Sequence, residues 1–212
     1  MPALTRWVQL IAVLSLTGCA ALQPQPEPSS DAATHQQHLA TLADIKAFNL
    51  QGRIGVQTEG RGFSGSTRWQ HAAALDNIAL FSPMGGQVAN IEATPKGVVL
   101  VDSDGKYYRA QDAESLTQKT LGWQLPMKGL PDWVLGRPAA GAVENAHWDR
   151  AGRLTRLKQH GWDITYAQYQ QSQGYQLPGK VTLVSPKLNL KLVIERWELP
   201  QASIGSASDA GL

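Results

Sequence analysis

Apolar and polar residues alternate along most of the chain from Phe48 onward, and this period of two predicts strands. Gly52, inside the first alternating run, predicts a bulge or a close approach of another backbone. Eleven such runs are joined almost entirely by short turns, and this spacing predicts an antiparallel sheet. The runs are 48–56, 63–71, 78–81, 87–94, 98–102, 106–110, 143–148, 154–159, 162–169, 181–185 and 188–194.

Two segments have the helical period instead. Residues 31–47 place apolar side chains three and four apart, after a Ser-Asp pair that can cap a helix. Residues 112–136 interrupt the strands, with Asp112 suited to an N-cap and Gly136 to a helix end. Both segments are therefore predicted to be helical.

A twisted antiparallel sheet of eleven strands is too wide to stay flat, so it must curl. The apolar face then becomes concave, and the predicted helices cover it. We predict a mainly β fold: an eleven-stranded antiparallel half-barrel with a helical lid. Alternation alone leaves open whether the concave interior is packed or holds a ligand cavity, and it slightly favours a packed interior.

The first 18 residues have the form of an export signal. Arg6 precedes a short apolar run, 7–16, and small residues then lead to Cys19, the one cysteine of the chain. The run is too short to span a bilayer as a helix. The sequence Leu-Thr-Gly-Cys at 16–19 resembles the lipobox of bacterial lipoproteins, which predicts cleavage before Cys19 and its lipidation. The alternative is an ordinary signal peptide that happens to contain a cysteine.

The predicted organisation has four parts. Residues 1–18 are the signal peptide, and 19–30 form a lipidated, proline-rich tether that holds the domain clear of lipid headgroups. Residues 31–200 form the folded domain and 201–212 a flexible tail. The formal net charge of +2 is a near balance of 19 basic and 17 acidic residues, so nucleic acid is not an expected partner.

Motifs for catalysis and metal binding are weak. Gly60, Gly62 and Gly65 match a dinucleotide-binding spacing, but an alternating strand follows them where that fingerprint requires a helix, so a hairpin loop is favoured. His35 and His38 are neighbours on a helix predicted to be exposed, where solvated histidine is the ordinary state. We therefore expect no enzymatic activity, no metal and no cofactor.

One loop resists a purely structural interpretation. Pro83, Met84 and Gly85 lie at a tight turn between two strongly apolar strands, where polar residues are usual. Met84 either folds back onto the sheet or projects into a membrane or a partner. The second alternative makes this segment a candidate membrane-insertion loop.

With these residues in view, the chain resembles the LolB family, the outer-membrane receptors that accept lipoproteins from a periplasmic carrier. The similarity covers nearly the whole chain after the signal, and no single motif decides it; order and spacing do. The motifs are the lipobox at Cys19, Gly-Arg at 52–53, Ser-Thr-Arg-Trp-Gln at 66–70, Ser-Pro-Met-Gly at 82–85 and Leu-Pro-Asp-Trp-Val-Leu-Gly at 130–136.

The resemblance implies a half-barrel with an apolar concave cavity, and an exposed leucine of the family's loop matches Met84. It implies an outer-membrane, lipid-anchored protein facing the periplasm that accepts lipoproteins from a LolA-type carrier, shields their acyl chains and inserts them into the inner leaflet of the outer membrane. A monomer is expected. Two alternatives are a structural or assembly lipoprotein and a generic lipid carrier. Candidate cavity-lining residues are Leu188, Leu190, Leu192 and Ile194.

Overall fold

The computed structural model of the protein describes residues 30–73 and 75–200, so the predicted signal, Cys19, most of the tether and the tail lie outside the described residues. These residues form three helices: α1 Ser30–Leu42, α2 Ala113–Thr120 and α3 Leu130–Val134. The strands β1 to β13, in chain order, are Phe48–Gln57, Gly62–Ala72, Leu75–Phe81, Gln87–Thr94, Gly97–Asp102, Tyr107–Ala110, Val143–Trp148, Leu154–Gln159, Trp162–Ala167, Gln170–Ser172, Tyr175–Leu177, Lys180–Ser185 and Leu188–Glu198.

Eleven of these strands form one antiparallel sheet in the order β6-β5-β4-β3-β2-β1-β13-β12-β9-β8-β7. Its two edges, β6 and β7, are not paired with each other, so the sheet is open and the prediction of an eleven-stranded half-barrel is confirmed. The chain builds one half from β1 to β6, adds the lid segment, and returns to build the other half.

The bulge predicted at Gly52 is present. The pairing of β1 with β13 shifts between Gln51 and Gly52, which leaves Glu195 as the extra residue. A Cβ at position 52 would lie 2.2 Å from the carbonyl oxygen of Val193. Glycine is therefore required here by the close approach of the neighbouring strand, and the extra residue increases the local bend of the sheet.

The inward face of the sheet forms the core. Alternate residues of β1 are buried, and the same face of the neighbouring strands carries Trp69, Leu80 and Ile91. The aromatic ring of Phe48 meets Trp69 and Trp197 edge-on, at centroid distances of 5.0 and 5.4 Å. Packing of this kind is the main source of stability in the domain.

Helix α1 is shorter than predicted, and the chain at its end is hydrogen-bonded to Arg137. It ends at Leu42, whereas the sequence predicted a helix through residue 47. The carbonyl oxygens of Leu42 and Ile45 accept hydrogen bonds from Nη1 of Arg137, which satisfies the helix end while the chain turns toward β1.

The prediction that His35 is solvated is wrong. His35 is 5% exposed, stacks on Trp148 with a centroid distance of 4.3 Å, and hydrogen-bonds through Nδ1 to the carbonyl oxygen of Gly152. Its burial depends on a turn far away in sequence, which the helical period alone does not reveal. His35 thus fastens α1 to the β7–β8 hairpin.

A small two-stranded hairpin, β10 and β11, lies outside the main sheet and was not predicted. The amide of Gln173 at its turn bonds the backbone of Leu199, so this hairpin fixes the end of β13. No helix within residues 30–73 and 75–200 is long and apolar enough to cross a membrane.

Candidate functional site

Five hairpin turns lie together at one end of the sheet, which we call the mouth end. Antiparallel pairing places them there, because Gln57 at the end of β1 lies opposite Gly62 at the start of β2 and Asn189 near the start of β13. The other strands alternate in direction in the same way out to both edges of the sheet, so their hairpin turns fall at this end as well. Consecutive turns are separated by two strand spacings, about 10 Å. The mouth-end turns are 58–61, 82–86, 103–106, 160–161 and 186–187.

The lid segment, residues 112–136, covers the concave face beside these turns. Asp112 caps α2 as predicted, with Oδ1 accepting from the backbone N–H of Ser115 at 2.8 Å. The predicted stop at Gly136 is also present, since Gly136 has φ +79° directly after α3. The segment is thus two short helices joined by an irregular connector.

The α3 end of the lid is fixed by a buried amide. Gln159 is 0% exposed; its Oε1 accepts from Nε1 of Trp133 at 2.8 Å and from the N–H of Ala139 at 3.0 Å. Its Nε2 donates to the carbonyl oxygen of Ala139 at 2.8 Å. All of these polar groups are satisfied inside the protein, so α3 is held firmly on β8.

A cavity of about 250 Å³ lies between the lid connector and the turns that precede β9 and β13. We call it the β9–β13 cavity. Its apolar lining comes from Trp123, Trp162, Pro186 and Leu188. Polar side chains surround this lining: Thr58, Gln118, Gln124, His160, Ser185 and Lys187.

A second cavity, of about 260 Å³, lies on the other side of the connector. We call it the β2–β4 cavity. Its lining is mainly apolar: Phe63, Leu80, Val88, Leu121 and Trp123, with Gly62 and the Arg61 side chain. An apolar lining of this kind offers dispersion contacts to hydrocarbon, and covering it with hydrocarbon removes apolar surface from water.

Arg61 connects the β1–β2 turn to the lid. A Cβ at Gly122 would lie 3.0 Å from Cδ and Nη1 of Arg61, so the arginine side chain lies directly against this glycine. Gly122 has φ +84°, a conformation that other residues rarely adopt. The contact places a flexible cation at the point where the lid connector meets the mouth-end turns.

Met84 projects from the mouth end. Its side chain is 97% exposed, so it does not fold back onto the sheet. The turn is held by a bond from the N–H of Ser82 to the carbonyl oxygen of Gly86 at 2.8 Å, and Gly85 has φ +86°. Backbone bonding fixes the hairpin, and its apolar tip is exposed on the surface that the described residues form.

The four candidate lining residues on β13 have different positions. Leu188 lines the β9–β13 cavity, whereas Leu190, Leu192 and Ile194 are buried in the packed core deeper along the strand, each at most 3% exposed. The interior is therefore packed in its depth and hollow near the mouth. A role of these leucines and Ile194 in holding acyl chains stays a prediction.

Sequence reasoning missed Trp123, which lines both cavities. Its signal was a large aromatic residue directly after a glycine, in a linker between two short helices. An apolar residue in such a linker is usually directed to the interior, but the strands that it contacts depend on how the lid lies over the sheet.

Comparison with known proteins finds relatives along most of the chain. Residues 46–197 match the family model described as Outer membrane lipoprotein LolB. An outer-membrane lipoprotein LolB of Nitrosococcus oceani is 37% identical over 192 residues, covering 90% of this chain and 95% of the relative. That of Nitrosomonas europaea is 36% identical over 196 residues, covering 91% of each.

Among solved structures, a LolA superfamily protein from Nitrosomonas europaea aligns with 78% of this chain and 93% of its own, at a TM-score of 0.43 and 9% identity. The family model spans nearly all of the described residues, and the relatives align along almost their whole length. The chain belongs to the LolB family of outer-membrane lipoproteins.

Proposed function

We propose that this protein is the outer-membrane receptor that accepts lipoproteins from a periplasmic carrier of the LolA type, shields their acyl chains and inserts them into the inner leaflet of the outer membrane. One observation carries the proposal: in a member of the LolB family, two small cavities, one lined mainly by apolar side chains and one by apolar and polar side chains, open at the same end of the sheet as an almost fully exposed methionine.

The energetics require such a shield. Each methylene of an acyl chain costs about 0.8 kcal/mol in water, and a lipoprotein carries several long chains. Free diffusion between membranes is therefore excluded, and a protein interior must replace water around the chains. Transfer into the bilayer then proceeds downhill wherever the bilayer holds the chains more tightly than the cavities do.

The anchor belongs to the N-terminal segment, outside the described residues. The lipobox supports lipidation at Cys19, and the proline-rich residues 20–30 supply a spacer between lipid and domain. Cys19→Ala should leave a folded domain that is released from the membrane, because the part of the chain that the structure describes builds a core of its own within residues 30–200. A variant that fails to fold would contradict the role of residues 20–30 as a spacer.

The hairpin tip supports the insertion step. Burial of the Met84 side chain in hydrocarbon would contribute roughly 1.5–3 kcal/mol, which is too little to anchor a protein and enough to orient the mouth toward the bilayer. A methionine is flexible and apolar, so it suits irregular lipid surroundings. Pro83 and Gly85 shape the turn that presents it.

The test is Met84→Glu, with capture of lipoprotein from the carrier and insertion into vesicles measured separately. We expect capture at the native rate and slower insertion, because a carboxylate resists entry into hydrocarbon. Leu75→Glu is the matched control, since Leu75 is 43% exposed at the opposite end of the sheet. If both steps of Met84→Glu proceed at the native rate, the loop has no such role.

A cross-link between the mouth-end turns and a loaded carrier would distinguish the receptor from a generic lipid carrier. A photoreactive residue in place of Lys187, beside the β9–β13 cavity, is the suitable probe. Capture of the carrier only when it is loaded supports the receptor, and absence of any carrier adduct contradicts it.

A further inference from the structure

The two cavities at the mouth end share one lining residue. Trp123 is 4% exposed and lines both, while the other lining residues belong to one cavity alone. Leu80 and Val88 of the β2–β4 cavity lie in the first half of the sheet, and Trp162 and Ser185 of the β9–β13 cavity lie in the second half. Trp123 thus lies where the two spaces adjoin.

The cavity volumes suit single acyl chains. An apolar cavity of about 150 Å³ takes up one benzene, so a volume near 250 Å³ accommodates roughly ten carbons. Each cavity therefore has room for the end of one chain and none for a second chain beside it. A lipoprotein with several chains must place them in different spaces.

Contacts at both ends of the lid hold Trp123 in position. Gln159 and Trp133 fix the α3 end of the lid on β8, and α2 packs on β5 and β6 at the other end. The connector that carries Trp123 is thereby held over the middle of the sheet. Arg61, lying against Gly122, contacts the connector immediately before the tryptophan.

We propose that Trp123 divides the interior into two compartments that each take one acyl chain of a bound lipoprotein. The proposal rests on the function proposed above and adds that the chains are held apart. Separated chains leave one at a time, so a single step exposes only the methylenes of one chain. The β2–β4 cavity lies directly behind the Met84 hairpin, because Leu80 and Val88 flank that turn.

The experiment uses the lipidated full-length protein in phosphatidylethanolamine vesicles with undecanoic acid that carries a terminal diazirine. After irradiation, the intact mass counts the labels on each chain, and peptide mapping locates them. The native protein is expected to carry two labels, one in each lining. Gln51→Trp, an exposed change on the outer face of β1, is the matched control and keeps both labels.

Two filling variants test this division. Val88→Trp is expected to remove the label in the β2–β4 cavity and retain the other, and Ser185→Trp is expected to do the reverse. When Trp123→Ala is added, either filling variant should reduce labelling of both linings, because the two spaces have merged. Should one filling variant fail to fold, its counterpart gives the same test from the other side.

The experiment distinguishes failure of the partition from failure of the proposed function. If either filling variant removes both labels in the presence of Trp123, the interior is one space and the partition is contradicted, while acyl binding stands. The same conclusion follows if the native protein carries one label. If no label falls in either lining, the proposed function itself is contradicted.

Discussion

The two ends of the half-barrel differ in how completely they are packed. At the end opposite the mouth, which we call the closed end, Phe48 lies between Trp69 and Trp197, and Nε1 of Trp69 donates to Asp76 at 2.7 Å. At the mouth end, the inward face borders two cavities, and Met84 is almost fully exposed.

This difference shows how one sheet can be stable and also offer surfaces that a hydrocarbon ligand can contact. The closed end supplies the burial that holds the fold, with nearby polar groups such as Nε1 of Trp197 bonded to the carbonyl oxygen of Pro178 at 3.1 Å. At the mouth end part of the inward face is not packed against other side chains, so hydrocarbon can contact it. Unfilled apolar volume costs stability, so its position at one end only is informative.

The largest expected contrast is between two phenylalanines. Phe48→Ala should lower the free energy of unfolding by about 3–5 kcal/mol, because it opens a cavity in a fully buried aromatic cluster. Phe63→Ala should cost only roughly 1 kcal/mol, since Phe63 is half-buried and already borders a cavity. Chemical denaturation of both variants measures the contrast, and equal losses would show that the two ends are packed alike.

The fixed end of the lid gives the next effect. Gln159→Leu would leave the buried Nε1 of Trp133 and both backbone groups of Ala139 without partners, at a cost of about 2–4 kcal/mol. Denaturation should show this loss, and hydrogen exchange should show faster exchange in α3. Gln51→Leu, an exposed change on β1, is the control and should be near neutral. A stable Gln159→Leu with a protected α3 would mean that other contacts hold the lid.

The sequence predicted the main sheet because its strands have one apolar and one polar face. The signal is strong where burial alternates, as in β13 up to Ile194. The predicted run stops where the bulge at Glu195 breaks the alternation, although the strand continues to Glu198. The start of α2 and the end of α3 were equally predictable, because Asp112 and Gly136 act on the backbone next to them in sequence. Met84 was identified as unusual because turns ordinarily carry polar residues, and this one carries a large apolar residue.

Other features depended on distant contacts. The hairpin of β10 and β11 has the sequence Gln-Gln-Ser-Gln-Gly-Tyr-Gln-Leu, with little apolar alternation, and its place is fixed by the bond of Gln173 to Leu199. The burial of His35 needs Trp148, and the position of Trp123 needs the complete lid. Periodicity within a segment carries no information about such partners.

A smaller effect is expected where the lid meets the mouth. Gly122→Ala introduces a side chain at φ +84° and should cost about 1–2 kcal/mol. The three atoms nearest its Cβ all belong to the flexible Arg61 side chain, which can move aside, so overpacking adds little. Gly60→Ala in the β1–β2 turn is the control, because a Cβ there meets nothing within 4 Å. If both variants match the native melting temperature, the backbone of the connector is not constrained.

The smallest expected effect is on pH dependence at the closed end. Burial lowers the pKa of His38, with His35 and Arg153 acting in the same direction and Asp149 opposing them. The unfolded chain then binds the proton more readily, so stability is lost as pH falls below about 6.5. The hydrogen-exchange protection factors of α1, which correct for the slower intrinsic exchange in acid, should fall with acidification, and less so in His38→Gln. An identical pH profile in that variant would assign the effect to other groups.

The central claim, that this interior receives lipoprotein acyl chains, has one direct test. A benzophenone amino acid is placed at Phe63, which lines the β2–β4 cavity, or at Gln51, which is exposed on the outer face. Each protein receives a lipoprotein with radiolabelled acyl chains from a loaded carrier and is then irradiated. Strong labelling at position 63 with little at position 51 is the predicted result, and equal labelling at both positions would contradict the account.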